Sequence, residues 1–384
     1  MPTRQDIITP TQTNVVDSSS NVSDRTINLK IASYLRDINI YGRDVICTQD
    51  FSKKELDCIL KLGLLMKKER YNPFWAKVFR DKTFLMFFFN SSLRTRLSFE
   101  IAATELGGHA IYMTRDMCRF KTDIQAGETI EDASQVMSRL ASGIGIRAAE
   151  EAITKYGEGN QLILEFAKWS DKPVINMADD RFHPCQGLAD VLGWLEHYQK
   201  PKEDLDLSCL KNKNFLLTWS KGKMARTWSS VHETILIASR YGMNVTVARP
   251  EGYDLDNNVY KKVEENTRKH NTEFNIINSP SKGYEDAHIV YSRNWMSNVS
   301  YEDNQLKSER EAESAMEFSD WITTEEKMSK TDNAIFTHCM PIDRGNEVED
   351  AVASGKNSII YNVAENRLHV QKALIALTMG NLFG

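Results

Sequence analysis

Apolar residues in this chain fall into two patterns, short continuous runs and stretches at helical spacing, and the two alternate. Asp50-Phe51-Ser52 followed by Glu55 predicts a helix start, and Leu56, Ile59, Leu60 and Leu64 then share one helix face. The run Phe84–Phe89 predicts a buried strand, and Phe99, Ala102, Ala103 and Leu106 the helix after it. Ala110–Met113, Gly143–Ile146 and Pro173–Met177 read as further strands. Ala133–Leu140 and a stretch from about Gly187 to Tyr198 read as helices. Residues 199–213 are charged and contain Pro201, which marks a linker or domain edge. The alternation then restarts. Strands are expected at Phe215–Trp219, Val245–Ala248, Ile289–Tyr291, Ala334–Thr337 and Ser358–Tyr361, and helices at Ser230–Tyr241 and Glu365–Met379. Residues 298–330 read as a charged, solvated helical region. Strands that alternate with helices predict an α/β fold of two parallel-sheet domains, with a cleft between them. The last helix is long enough to return to the first domain. Residues 1–41 are polar and turn-rich around Asp17–Asn21. They are expected to form a flexible extension, with a short helix within Ile27–Ile38.

Candidate chemistry gathers where strands end. Phe89-Asn-Ser-Ser-Leu-Arg-Thr-Arg96 joins the Phe84 strand to a helix. Its free N–H groups, the hydroxyls of Ser92 and Thr95, the Arg94 guanidinium and a helix N-terminus suit a phosphate. The same residues also suit a plain Ser/Thr cap with surface arginines. Phe182-His-Pro-Cys-Gln186 aims His183 and Gln186 at the same crevice, where an imidazole and an amide can bond a carbonyl oxygen and an NH2 group. A simple helix start is the competing reading. Thr337-His-Cys-Met-Pro341 offers backbone carbonyls from the second half, and a cis Met340–Pro341 peptide would aim those of Cys339 and Met340. The Cys339 thiol has no evident activating base, so covalent catalysis is not expected. Arg94, Arg147 and Arg367 together would supply three guanidiniums for one small dianion.

Composition narrows the field. Hydrophobic residues make up 41% and charged residues 26%, which excludes a wholly disordered or fibrous chain. A net charge of −5 argues against a nucleic-acid partner. The longest apolar run, Phe84–Phe89, is far short of the ~20 residues of a membrane span, so no membrane partner is expected. The six cysteines lie far apart without a CxxC pair, which fits a reducing, cytoplasmic location; neither a metal nor a cofactor is expected. The first residues lack the apolar core of a signal peptide.

The segments SxRTR, HPCQ, HCMP and AENRLHVQKAL, in this order, resemble the ornithine/aspartate carbamoyltransferase family over residues 42–384. The resemblance implies a carbamoyl-phosphate domain at 42–186, joined by the helix of 363–384, and an amino-acid acceptor domain at 187–362. Ser92, the Leu93 backbone, Arg94 and Thr95 would hold the phosphate. Arg147 and His183 would contact the carbamoyl oxygen, and Gln186 the carbamoyl nitrogen. The Cys339 and Met340 carbonyls and Arg367 would complete the site. The catalytic set implied is Arg94, Arg147, His183, Gln186 and Cys339. The partners implied are carbamoyl phosphate and an amino-acid-like amine, in a homotrimer whose loop near Lys121–Glu128 enters a neighbour's site.

Asn176 matches an asparagine that binds the acceptor in ornithine enzymes. Where those enzymes carry D-x-W-x-S-M-G, this chain reads Tyr291-Ser-Arg-Asn-Trp-Met-Ser-Asn298. Arg293 stands where an aspartate would meet the ornithine α-ammonium, and like charges there repel. Arg293, Asn294 and Trp295 instead resemble the K-N-W of the N-acylornithine branch. The expected activity is therefore carbamoyl transfer to an acceptor other than free ornithine. A true ornithine enzyme and a non-catalytic carbamoyl-phosphate-binding regulator are the alternatives.

Overall fold

The protein, a computed structural model, is described over residues 23–121, 126–199, 205–223, 226–297, 300 and 308–383. Its first half contains helices α1 (Asp24–Tyr34), α2 (Lys53–Lys68), α3 (Leu93–Glu105), α4 (Ile130–Leu140), α5 (Glu158–Trp169) and α6 (Pro184–Tyr198). Between them run strands β1 (Thr83–Phe88), β2 (His109–Thr114), β3 (Gly143–Arg147) and β4 (Val174–Ala178), all parallel, in the order β2-β1-β3-β4. The second half contains β5 (Asn214–Trp219), β6 (Asn244–Ala248), β7 (Phe274–Ile277), β8 (Ile289–Arg293) and β9 (Ile335–Thr337), again parallel, in the order β7-β6-β5-β8-β9. Its helices are α7 (Ser229–Arg240), α8 (Asn257–His270), α9 (Ser308–Met316), α10 (Glu325–Met328), α11 (Asp350–Ala353) and α12 (Ile360–Met379).

Local chemistry sets several of these boundaries. Ser52 and Glu55 form the reciprocal cap expected at the start of α2, and Lys67 and Lys68 lie at its carbonyl end. The aromatic strand β1 lies centrally in its sheet and is buried on both faces, as a parallel strand covered by helices should be. The last helix, α12, packs against α2, α3 and α6. Lys372 Nζ bonds Glu105 of α3 at 2.8 Å, and Lys67 of α2 bonds Asn366 at 2.8 Å. The C-terminal helix thus returns to the first domain.

Two expectations need correction, and α5, α8 and β7 lie where no element was expected. The proposed flexible extension does not hold for residues 23–41: Ser23 caps α1, and Ile27, Ile31 and Ile40 are buried. Residues 1–22 lie outside the described part. Ser358–Tyr361 is not a strand. It touches the sheet at one rung, where Ile359 N donates to Phe336 O, and α12 begins at Ile360. β7 was not anticipated, because an edge strand with exposed Asn275 and Ile276 lacks an alternating pattern. Within the charged 298–330 region, α9 and α10 are helical, whereas 298–299 and 301–307 lie outside the described residues.

Candidate active site

A cavity of about 110 Å³ opens at the carboxyl ends of strands from both sheets. Eleven of the fourteen candidate residues line it: Ser92, Leu93, Arg94, Thr95, Arg147, His183, Gln186, Arg293, Cys339, Met340 and Arg367. β1 delivers the chain to Ser92, whose hydroxyl accepts from Thr95 N at 3.4 Å and so caps α3. The cap reading and the anion reading are both satisfied there: the capped turn lies in the cavity wall, beside Arg94. β3 ends on Arg147, and β8 ends on Arg293.

A hydrogen-bonded chain links the cradle to α12. Arg367 donates to Thr95 Oγ1 (3.2 Å) and to Gln186 Oε1 (2.9 Å), and Gln186 Nε2 donates to Asp190 (2.9 Å). Burial lowers the Arg367 pKa to about 10, helped by Arg94 and Arg147. Arg94 is lowered by burial too, with Arg293, Arg147 and Arg226 acting in the same direction. Burial, then Arg367, Arg147 and Arg94, hold His183 well below the ordinary histidine value, so its ring is neutral at pH 7. Its Nδ1 is buried with no hydrogen-bond partner among the described residues. The Met340–Pro341 peptide is cis, and Pro341 O accepts from Arg293 Nη1 at 3.0 Å. The Cys339 thiol meets Ser230 Oγ at 3.5 Å.

Three candidates lie elsewhere. Asn176 is fully buried, and its amide donates to Ile46 O, Asp179 and Phe182 O, fixing the loop beneath His183. Asn294 donates to Ser220 O and Trp295 Nε1 to Tyr253 O, both inside the second domain. The donors of these side chains go to groups within the fold, mostly backbone carbonyls, which motif matching could not reveal. Arg293 Nη1 lies 3.8 Å from Glu347 Oε1. Burial opposes ionisation of Glu347, but His338, Arg293 and the Asn294 N–H outweigh it and hold its pKa at about 2.

The cavity also contains residues that sequence reasoning missed: Glu150, Arg226, Thr227, Ser229 and Ser230. A signal existed. Arg226-Thr227 follows β5 and precedes α7, the same strand–turn–helix position that Arg94-Thr95 holds after β1. Of the loop near Lys121–Glu128, residues 122–125 lie outside the described part. Its ends are joined by Lys121 N donating to Glu128 O at 2.9 Å. Among the described residues, no helix is long and apolar enough to cross a membrane.

The site can therefore hold a small dianion among guanidiniums and present a neutral imidazole and an amide to an attached carbonyl group. Comparison with known proteins agrees. Residues 43–196 match the carbamoyl-P binding domain of aspartate/ornithine carbamoyltransferases, and residues 222–378 match the Asp/Orn binding domain. An ornithine carbamoyltransferase of Thermococcus kodakarensis is 33% identical over 90% of this chain and 99% of its own length. An N-acetylornithine carbamoyltransferase of Xanthomonas campestris is 32% identical over 87% of this chain and 96% of its own. A crystal structure of acetylornithine transcarbamylase complexed with acetylcitrulline superposes with a TM-score of 0.79 at 30% identity, covering 88% of this chain and all of that one. With both of its halves matched and its fold shared, the chain belongs to the aspartate/ornithine carbamoyltransferase family and is a carbamoyltransferase.

Proposed function

We propose that the enzyme carries the carbamoyl group from carbamoyl phosphate to the amine of an N-acylated amino acid of the ornithine type, rather than to free ornithine. Ser92, the Leu93 N–H, Arg94, Thr95 and Arg367 bind the phosphate. Arg147 and neutral His183 bind the carbamoyl oxygen, and Gln186 with the Cys339 and Met340 carbonyls binds the NH2 group. A neutral amine attacks the carbonyl carbon and forms the C–N bond. The developing oxyanion is met by Arg94, Arg147 and His183. The C–O bond to phosphate then breaks, phosphate keeps the electron pair, and the amine proton leaves with it.

The observation that carries the acceptor reading is Arg293. Its guanidinium lies in the cavity wall, fixed by Pro341 O and backed by ionised Glu347. At 4 Å and an effective dielectric of about 20, a free α-ammonium there would be repelled by roughly 4 kcal/mol, whereas a carboxylate or acyl oxygen is attracted. The acylornithine names of the Xanthomonas relative and of the structural neighbour support the same reading. Ornithine itself is the second reading, favoured by the name of the Thermococcus relative. Steady-state kinetics with ornithine, N-acetylornithine and N-succinylornithine test the choice. The expected result is a higher kcat/KM for an N-acyl acceptor, lost in Arg293→Ala. High turnover on free ornithine at low KM, unaffected by that substitution, would reject it.

We place the enzyme in the cytoplasm, in keeping with free cysteines at all six positions. We also propose a homotrimer. Leu93, Leu97 and Ile101, four residues apart on α3, are exposed and make an apolar stripe of the kind subunit contacts cover.

A further inference from the structure

The cations of the cleft divide by origin. Arg94, Arg147 and Arg367 come from α3, β3 and α12, around the phosphate cradle. Arg226 and Arg293 come from the segment before α7 and from the end of β8. Hydrogen bonds join those two segments into one wall: Met296 N donates to Arg226 O at 3.0 Å, and the Trp228 side-chain Nε1 donates to Met296 O at 2.8 Å. The acceptor half of the cleft is thus walled by two guanidiniums, and such a wall attracts a phosphate dianion as readily as an acceptor carboxylate.

One acid interrupts it. Among the described lining residues, Glu150 is the sole carboxylate. It enters from the first domain, three residues after Arg147, and its Oε1 lies 3.4 Å from Arg226 Nη1. Its backbone has φ +53°, a left-handed conformation that side chains other than glycine rarely adopt. The surroundings hold it there. Ala149 N donates to Asn90 Oδ1 at 3.1 Å, Ala148 N to Ala178 O at 2.9 Å, and Ile153 N to Glu150 O at 3.1 Å. Strain of this kind persists where the fold over-determines a residue, and here it aims a carboxylate across the cleft.

We propose that Glu150 is a specificity-determining residue, a built-in counter-anion on Arg226 that keeps phosphate and carbamoyl phosphate out of the acceptor half. A dianion entering that half meets the Glu150 charge and is repelled. An N-acyl acceptor, with one carboxylate in place of a dianion's two charges, is admitted, its carboxylate toward Arg293. The proposal rests on the carbamoyltransferase reading of the cradle.

Calorimetric binding of inorganic phosphate tests it, on the wild type, Glu150→Gln, Glu150→Ala and the Glu150→Gln/Arg226→Ala double variant. The wild type is expected to bind a single phosphate per chain. Both neutral variants should gain a second site, tightened roughly ten-fold or more, a factor worth about 1.4 kcal/mol. The double variant should lose that second site. In kinetics, phosphate should become a competitive inhibitor against the acceptor in Glu150→Gln. A single phosphate in every variant, with unchanged inhibition, overturns the proposal. A wild type that binds no phosphate rejects the cradle reading instead. Even then, a site gained in Glu150→Gln and lost with Arg226→Ala supports the role of Glu150, and its absence refutes it.

Discussion

Arg94 is buried among like charges, and burial together with its neighbours already lowers its pKa. A dianion would relieve that repulsion, so Arg94 is expected to bind it more strongly than an exposed arginine would. Arg94→Ala should cost about 2–5 kcal/mol of carbamoyl phosphate affinity, the usual loss for truncating one partner of a desolvated, hydrogen-bonded charge pair. Calorimetry checks this, and unchanged binding would show that the phosphate sits elsewhere. His183 works at the same scale by the opposite means. Burial first, and then the same positive surroundings, keep it neutral, so in the proposed site it would meet the carbonyl oxygen without carrying charge of its own. At this scale the sequence was legible where a residue type and a strand end coincide, as at Arg94, Arg147 and Arg293. Asn176, Asn294 and Trp295 do not line the cavity. Their side chains satisfy backbone groups of their own domains, a demand that depends on distant segments and leaves no mark on local spacing.

At the scale of elements, α12 is held by charge as well as by apolar packing. Lys372 is fully buried and bonds Glu105, which also takes two hydrogen bonds from Arg70. Burial lowers the Lys372 pKa, and Glu105 opposes that shift. Lys372→Ala should lower stability by roughly 1–3 kcal/mol, the range for losing a hydrogen bond to a charged group. Because Arg367 is five residues earlier on the same helix, carbamoyl phosphate affinity should fall with it. Urea denaturation and calorimetry on the same variant measure the two effects, and normal stability with normal affinity would count against this anchoring. Most helices and strands were readable from periodicity, since buried runs such as Phe84–Phe88 and capped starts such as Ser52–Glu55 are local signals. The helices α5 and α8, the edge strand β7 and the Ser358–Tyr361 segment were not. An edge strand buries little, and Ile359 and Ile360 have the composition of a strand although they only touch one and then turn into a helix.

For the molecule as a whole, Asp190 couples the site to stability. It is fully buried behind Gln186, and burial pushes its pKa up to about 8, with Gln186, Arg367 and Thr234 acting the other way. Between about pH 4 and pH 8 the unfolded chain has released this proton and the folded chain retains it. The Asp190 contribution to stability is therefore fully present below pH 4 and falls as pH rises through 8, by at most ~1.4 kcal/mol per unit. Asp190→Asn imitates the protonated form. The wild type should lose stability relative to this variant as pH is raised from 5 to 8. A constant difference in unfolding free energy across that range would mean that Asp190 is already ionised.

The return of α12 to the first domain also bears on how the chain is made. Every strand of the first sheet leaves the ribosome well before Arg367 does, and the surfaces of α2, α3 and α6 that α12 covers must wait for it. A nascent chain stopped short of Ile360 would hold the phosphate turn and both sheets, yet lack a guanidinium of the cradle and leave an apolar groove open. Such a chain should bind carbamoyl phosphate more weakly than the full one and unfold more readily, which calorimetry and urea denaturation of a variant ending before Ile360 would check.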